Sequence, residues 1–175
     1  MTTPSYNVLF LCTGNSARSI MAEAILRSEG IGRFYAYSAG SQPKGEVHPY
    51  AIKTLEAFGY ATQGLYSKSW DAFSGVDAPE MDFIITVCDN AAGEACPVWI
   101  DHPTTTHWGI EDPAACEGSE IDKQAAFNQA FHYLKNRIDL LLATPLQRLD
   151  KLALHHHLQE IGKSVGASQK ARAGH

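Results

Sequence analysis

The chain has 175 residues, 45 % of them apolar and 19 % charged, with a formal net charge of −5. That is enough for one domain with a proper core and is the composition of a soluble globular protein. The acidic balance gives no footing for nucleic-acid binding, and no apolar run approaches the ~18 residues needed to span a bilayer. Met1 to Tyr6 has neither a basic region nor an apolar leader, so a cytoplasmic protein is expected.

Val8-Leu9-Phe10-Leu11 reads as a buried parallel strand that delivers a cysteine into Cys12-Thr13-Gly14-Asn15-Ser16-Ala17-Arg18-Ser19. After Arg18, the residues Met21, Ala24, Ile25 and Ser28 recur at helical spacing, and Gly30 closes that helix. Arg33 to Ser38 suits a second strand. Pro49 suits the first turn of a second helix with Val47, Ala51, Leu55 and Phe58 on one face and Gly59 at its end. Ser67 to Phe73 reads as a short helix. Met81 to Val87 is a strong buried strand with Cys88 at its C-terminal end, and Asp89 to Pro97 reads as a mobile loop carrying Cys96. A short fourth strand is expected around Thr106 to Gly109, before Glu111-Asp112-Pro113. A long helix follows from about Ile121 to Ala143. A last helix is expected to start at Thr144-Pro145 with Leu146, Leu149, Leu152 and Ile161 inward, before a tail from Gly162 without structure. His155-His156-His157 reads as a solvated surface, since adjacent helical side chains diverge. This alternation predicts an α/β fold on a small parallel sheet with helices on both faces.

The strand–loop–helix around Cys12 has chemical consequences. Amides from Thr13 to Arg18 can converge as an anion nest, the helix start adds a positive dipole, and Arg18 offers a planar two-pronged donor for a tetrahedral oxyanion. The same field is expected to lower the Cys12 thiol and make it a thiolate nucleophile. Cys12 and Cys88 both fall at strand ends, where open α/β sheets bind ligands. Four cysteines in such a chain are more in keeping with catalysis than with a disulfide framework, and zinc is a poor fit because Cys88 and Cys96 lack close pairing. No role is assigned to Cys116.

The run from Cys12 to Ser19 matches the C-x5-R-S/T loop of the low-molecular-weight phosphatase family, and Asp112-Pro113 resembles its general-acid loop. Four features are most similar to the arsenate reductases of that family: the C-T-G-N-S-x-R-S loop followed by Met21-Ala22-Glu23; Tyr37-Ser38-Ala39-Gly40; Thr86-Val87-Cys88 ahead of Cys96-Pro97; and His107-Trp108-Gly109 ahead of Asp112-Pro113-Ala114. The resemblance implies a flavodoxin-like fold with strand order 2-1-3-4. It implies a domain over residues 1–145, with 146–175 as a helical extension bearing a flexible tail. It implies arsenate as substrate, with phosphate or sulfate as mimics. Cys12 resembles the nucleophile, Arg18 the oxyanion clamp and Ser19 the hydroxyl that hydrogen-bonds the thiolate. Asn15 resembles the residue that shapes the loop, and Thr13, Gly14, Ser16 and Ala17 complete the oxyanion cradle. Asp112 resembles the acid that protonates the departing oxygen, so its pKa is expected to rise when the anion binds. Cys88 and Cys96 resemble the redox pair of the thioredoxin-coupled members.

The implied chemistry needs no bound cofactor but an external thiol donor, thioredoxin or glutaredoxin with glutathione. Seven residues separate Cys88 from Cys96, one more than expected for the thioredoxin-coupled group. Ala17 stands where tyrosine phosphatases of the family commonly carry a second cysteine. Lys68 stands where some members place an acidic residue of a potassium site, so bound potassium is not expected. The alternative is a phosphotyrosine phosphatase working through a phosphocysteine. Asp112-Pro113-Ala114-Ala115 lacks the aromatic pair that would grip a phenyl ring.

Overall fold

The computed structural model describes residues 4–93 and 103–173. Four parallel strands, β1 (Tyr6–Leu11), β2 (Phe34–Ala39), β3 (Phe83–Thr86) and β4 (Thr104–His107), form one sheet in the order β2-β1-β3-β4. The central strand β1 is buried on both faces. Val8 and Phe10 join one core with Phe83 and Ile85, while Leu9 and Leu11 join the other with Ala39, Met81 and Ile84. A strand sandwiched this way must be apolar without alternation, which is why Val8 to Leu11 reads as a continuous run. The larger core lies under α1 (Arg18–Glu29), α2 (Pro49–Ala57), α4 (Glu120–Leu142) and α5 (Lys151–Gly162). On the other face, among the described residues, the 3-10 turn Trp70–Phe73 packs through Trp70 and Phe73. Among the described residues no helix is long and apolar enough to cross a membrane.

The register aligns the strand ends. Leu11 is level with Ala39 and Thr86, and Thr86 with His107. Cys12, Gly40, Cys88 and the segment from Trp108 to Asp112 therefore leave the sheet along a single edge.

The fourth strand lies two residues earlier than the sequence suggests. Trp108 is bulky and apolar enough to pass for a strand residue, but it leaves the sheet and is fully buried, with its indole Nε1 donating to Leu158 O of α5 at 2.9 Å. Trp108→Phe should cost about 2 kcal/mol, from the lost indole hydrogen bond to Leu158 O and a small void, read as a lower urea midpoint.

Three further expectations are corrected. The segment after Cys88 is not loop throughout: Asp89–Gly93 forms a short helix, α3, whereas Cys96 and the rest of the expected mobile loop lie outside the described residues. The last helix does not begin at Thr144-Pro145. Pro145 precedes a single 3-10 turn, Leu146–Arg148, and α5 starts one element later, with the Asp150 carboxylate accepting from Ala153 N–H as its cap. Its inward face is Leu158 and Ile161, while Leu152 is 80 % exposed, because only the later turns lie over Trp108. The tail is also folded: α6 (Gln169–Arg172) is capped by Ser168, and Ala167 bridges to Ile110.

One buried side chain accounts for much of that tail. Arg137 of α4 is fully buried, and its guanidinium donates to the carbonyls of Tyr133, Gly162, Ser164 and Val165. Burial lowers its pKa to about 10, still far above neutrality. A cation held by carbonyls at and just beyond the end of α5 is well matched to that helix terminus.

Candidate active site

The anion loop is shaped by its neighbours. Asn15 is the one non-glycine residue with positive φ (42°) among those described. Its side chain fixes that conformation at both ends: Nδ2 donates to Ser19 Oγ at 2.8 Å, and Oδ1 accepts from Lys68 N–H at 2.9 Å. The outward carbonyls of the loop are tied down, Thr13 O by Gln42 N–H, Gly14 O by Lys44 N–H and Ser16 O by His48 N–H. The loop carbonyls are thereby taken up, and α1 begins at Arg18 with no side chain capping it. This is the anion-receptive form of a helix start.

Cys12, Thr13, Gly14, Asn15, Ser16, Ala17 and Arg18 line one cavity of about 370 Å³, together with Cys88 and Asp112. Arg18 is held in place: Nη1 donates to Ile110 O at 2.9 Å, and Nη2 stands 3.7 Å from Asp112 Oδ2. Asp112 is half-exposed at the mouth, where its other oxygen caps the 3-10 turn Pro113–Ala115 by accepting from Ala114 N–H. Ser19 is fully buried beneath the loop. Four further lining residues carried no expectation from the sequence, Gln42, Lys44, His48 and Asn90, and Ala114 lines the cavity beside Asp112. The first three follow β2, whose C-terminal end shares the same edge. That topology was the available signal, since no spacing marks them. Burial and nearby Lys44 lower the His48 pKa, so Lys44 and Arg18 supply the positive charge.

Cys12 and Cys88 are both buried and unbridged, both line the cavity, and each thiol bears on the other's proton. The charge does not rest where the sequence places it. The hydrogen bond to Cys88 and burial raise the Cys12 thiol well above its ordinary value, more than Arg18 lowers it. The thiol proton of Cys12 lowers Cys88 against its burial, and Thr13 N–H (3.3 Å) and Ala91 N–H (3.4 Å) add to that. The two thiols thus pull in opposite directions, Cys12 up and Cys88 down, and titrate as a pair.

Beside the loop, Glu23 is buried under three partners: Arg27, Ser38 Oγ at 2.5 Å, and Lys68 Nζ at 3.6 Å. Burial depresses the Lys68 pKa against the pull of Glu23. The Lys68 amine therefore stands beside this carboxylate. Among the described residues no group of His, Cys, Asp and Glu could hold a metal ion.

A parallel sheet presenting a cysteine–arginine loop and an aspartate at its C-terminal edge defines an α/β protein that handles tetrahedral oxyanions through a thiol. A model described as low molecular weight phosphotyrosine protein phosphatase matches residues 7–153, and the chain belongs to that family, on its arsenate reductase side. The arsenate reductase of Bacillus subtilis is 33 % identical over 131 residues, which is 75 % of this chain and 91 % of that protein. That of Oceanobacillus iheyensis is 33 % identical over 137 residues, 78 % of this chain and 95 % of that protein. Among solved structures, an arsenate reductase in the phosphate-binding state superposes with a TM-score of 0.65 at 29 % identity, covering 79 % of this chain and 97 % of that one.

Proposed function

We propose that the protein reduces arsenate to arsenite with its own thiols and is regenerated by an external thiol donor. One observation carries this reading: a second buried sulfur, Cys88, lines the cavity of the anion loop beside Cys12. A phosphatase needs one thiol there; a reductase needs two.

Arsenate enters the cradle of loop amides and Arg18. Cys12 passes its proton to an arsenate oxygen and attacks arsenic as the thiolate, and Asp112 supplies the second proton to that oxygen, which departs as water. Ser19, whose oxygen accepts from Asn15, donates its own proton to the Cys12 sulfur and favours the thiolate. The Cys88 thiolate then attacks Cys12 Sγ. The S–As bond breaks toward arsenic, which takes both electrons and leaves as arsenite, and a Cys12–Cys88 disulfide remains. Cys96 attacks Cys88 Sγ and frees Cys12. The resulting Cys88–Cys96 disulfide is reduced by a dithiol protein such as thioredoxin, or by glutaredoxin with glutathione, in the cytoplasm. The phosphatase alternative shares only the first attack, and among the described residues the cavity lining contains no Phe, Tyr or Trp to grip a phenyl ring.

The test is a single turnover. Reduced protein mixed with arsenate and no added reductant should release one arsenite per chain and lose two thiols to an intramolecular disulfide, read by arsenic speciation and peptide mapping. Release of phosphate from aryl phosphates with no arsenite from arsenate would overturn the reading.

A further inference from the structure

The folded tail reaches the redox edge of the sheet. Ser168 is buried and carries two contacts at once: its oxygen accepts from Ala171 N–H at 3.2 Å, and its hydroxyl meets Asp89 Oδ1 at 2.5 Å. The same carboxylate oxygen receives His107 Nε2 at 2.8 Å, and His107 Nδ1 in turn meets Thr86 Oγ1 at 2.7 Å. Asp89 directly follows Cys88 and opens α3, the turn whose Ala91 N–H addresses the Cys88 sulfur.

The crossing is close and specific. Ser168 N–H donates to Gly109 O at 2.9 Å. A Cβ on Gly109 would lie 2.5 Å from His107 Nε2 and 2.6 Å from both Asp89 Oδ1 and Ser168 Oγ, so no side chain fits between the three. Burial works against the Asp89 carboxylate, but the Ser168 and His107 hydrogen bonds outweigh it and lower its pKa, keeping it an acceptor. Ser168 also lies beyond the residues 7–153 that the family model matches, so this contact belongs to the extension.

We propose that Ser168 is a positioning residue for the second thiol: through Asp89 it fixes the first turn of α3 and so keeps the Ala91 N–H on the Cys88 sulfur, aligned toward Cys12. The extension is then part of the relay, a strap over the element that carries Cys88. This rests on the reading of Cys88 as the second thiol. The groups that face the sulfur are Cys12, the amide and hydroxyl of Thr13, the Ala91 amide, and Arg18 across the cavity. The strap acts on the Ala91 donor alone and leaves the others in place.

The experiment uses the full chain as Ser168→Ala, Ser168→Gly and Ser168→Thr. Glycine serves an N-cap almost as well as serine but has no hydroxyl, so Ser168→Gly separates the contact to Asp89 from the capping of α6. Thiolate ultraviolet absorbance is titrated against pH, and the single-turnover rate of disulfide formation on arsenate is measured beside aryl-phosphate hydrolysis. Ser168→Ala and Ser168→Gly should both raise the apparent pKa of the sulfur pair by about 1, the loss of one hydrogen bond to a thiolate. They should slow disulfide formation about fivefold to tenfold while hydrolysis holds within about twofold, and Ser168→Thr should restore both. An unchanged titration in Ser168→Gly overturns the proposal, as does an equal fall of both activities. If the parent protein forms no arsenite, the reductase reading fails, while the titration still decides the strap.

Discussion

Cys88→Ser is expected to cut steady-state arsenate reduction by about 10³-fold or more, while aryl-phosphate hydrolysis persists within about threefold. The asymmetry follows from the order of the steps. Attack by Cys12 and proton donation by Asp112 need no second sulfur, whereas expulsion of arsenite needs one to receive the disulfide bond. The substitution also changes the acid limb of hydrolysis in a definite direction. In the parent the hydrogen bond to Cys88 is the largest influence raising the Cys12 thiol, and Arg18 opposes it. With the sulfur gone, Arg18 acts with less opposition, the Cys12 pKa falls, and the active thiolate persists to lower pH. The acid limb of kcat/KM for hydrolysis should therefore move down in pH. A limb that stays put, or a variant that still turns over arsenate, would show that the two sulfurs are not coupled.

Gly40→Ala should damage both activities. The conformation of Gly40 is open to any residue; space is the obstacle. An added Cβ would stand 2.4 Å from Thr13 O, 2.6 Å from Cys12 O and 3.0 Å from Asn15 N, all backbone atoms of the anion loop. The strand cannot back away, because Gly40 N–H donates to Lys68 O at 2.9 Å and Gly40 O accepts from Trp70 N–H at 3.0 Å. The methyl must push the loop instead. We expect a loss of about 3 kcal/mol in urea unfolding and a fall of about 10²-fold or more in both reactions, as for an ångström-scale misplacement of reacting groups. Full hydrolysis in Gly40→Ala would mean that the loop can move without consequence for the cradle.

The parts of the molecule legible in the sequence are those with local causes. The buried strand Val8 to Leu11, the helix behind Arg18 and the cysteine-to-arginine spacing each announce themselves within a dozen residues, whereas the strand order β2-β1-β3-β4 was legible only through the family resemblance. What escaped is set by long-range packing. Trp108 looks like a strand residue until α5 is placed over it. Leu152 looks inward until the later turns of α5 prove to be the ones that cover the sheet. Gln42, Lys44 and His48 reach the cavity through the folding of a loop, with no motif to mark them. The charge on the sulfur pair escaped for another reason: Cys12 read alone has only Arg18 and a helix start beside it, and the competing thiol arrives from 76 residues away in the chain. The polar tail looked unstructured because its partners, Arg137 and Asp89, lie in distant elements.

Arg137 carries a consequence for cooperativity. Its guanidinium binds a carbonyl of its own helix and three of the segment from Gly162 to Val165, with no carboxylate among these partners. Were the extension to detach, a guanidinium enclosed by protein would lose three acceptors in one event, and the Trp108 indole would lose its carbonyl on α5. Neither loss can occur piecemeal, so the extension and the sheet melt in one transition. A chain cut after α4 is then not a smaller enzyme but a less stable one.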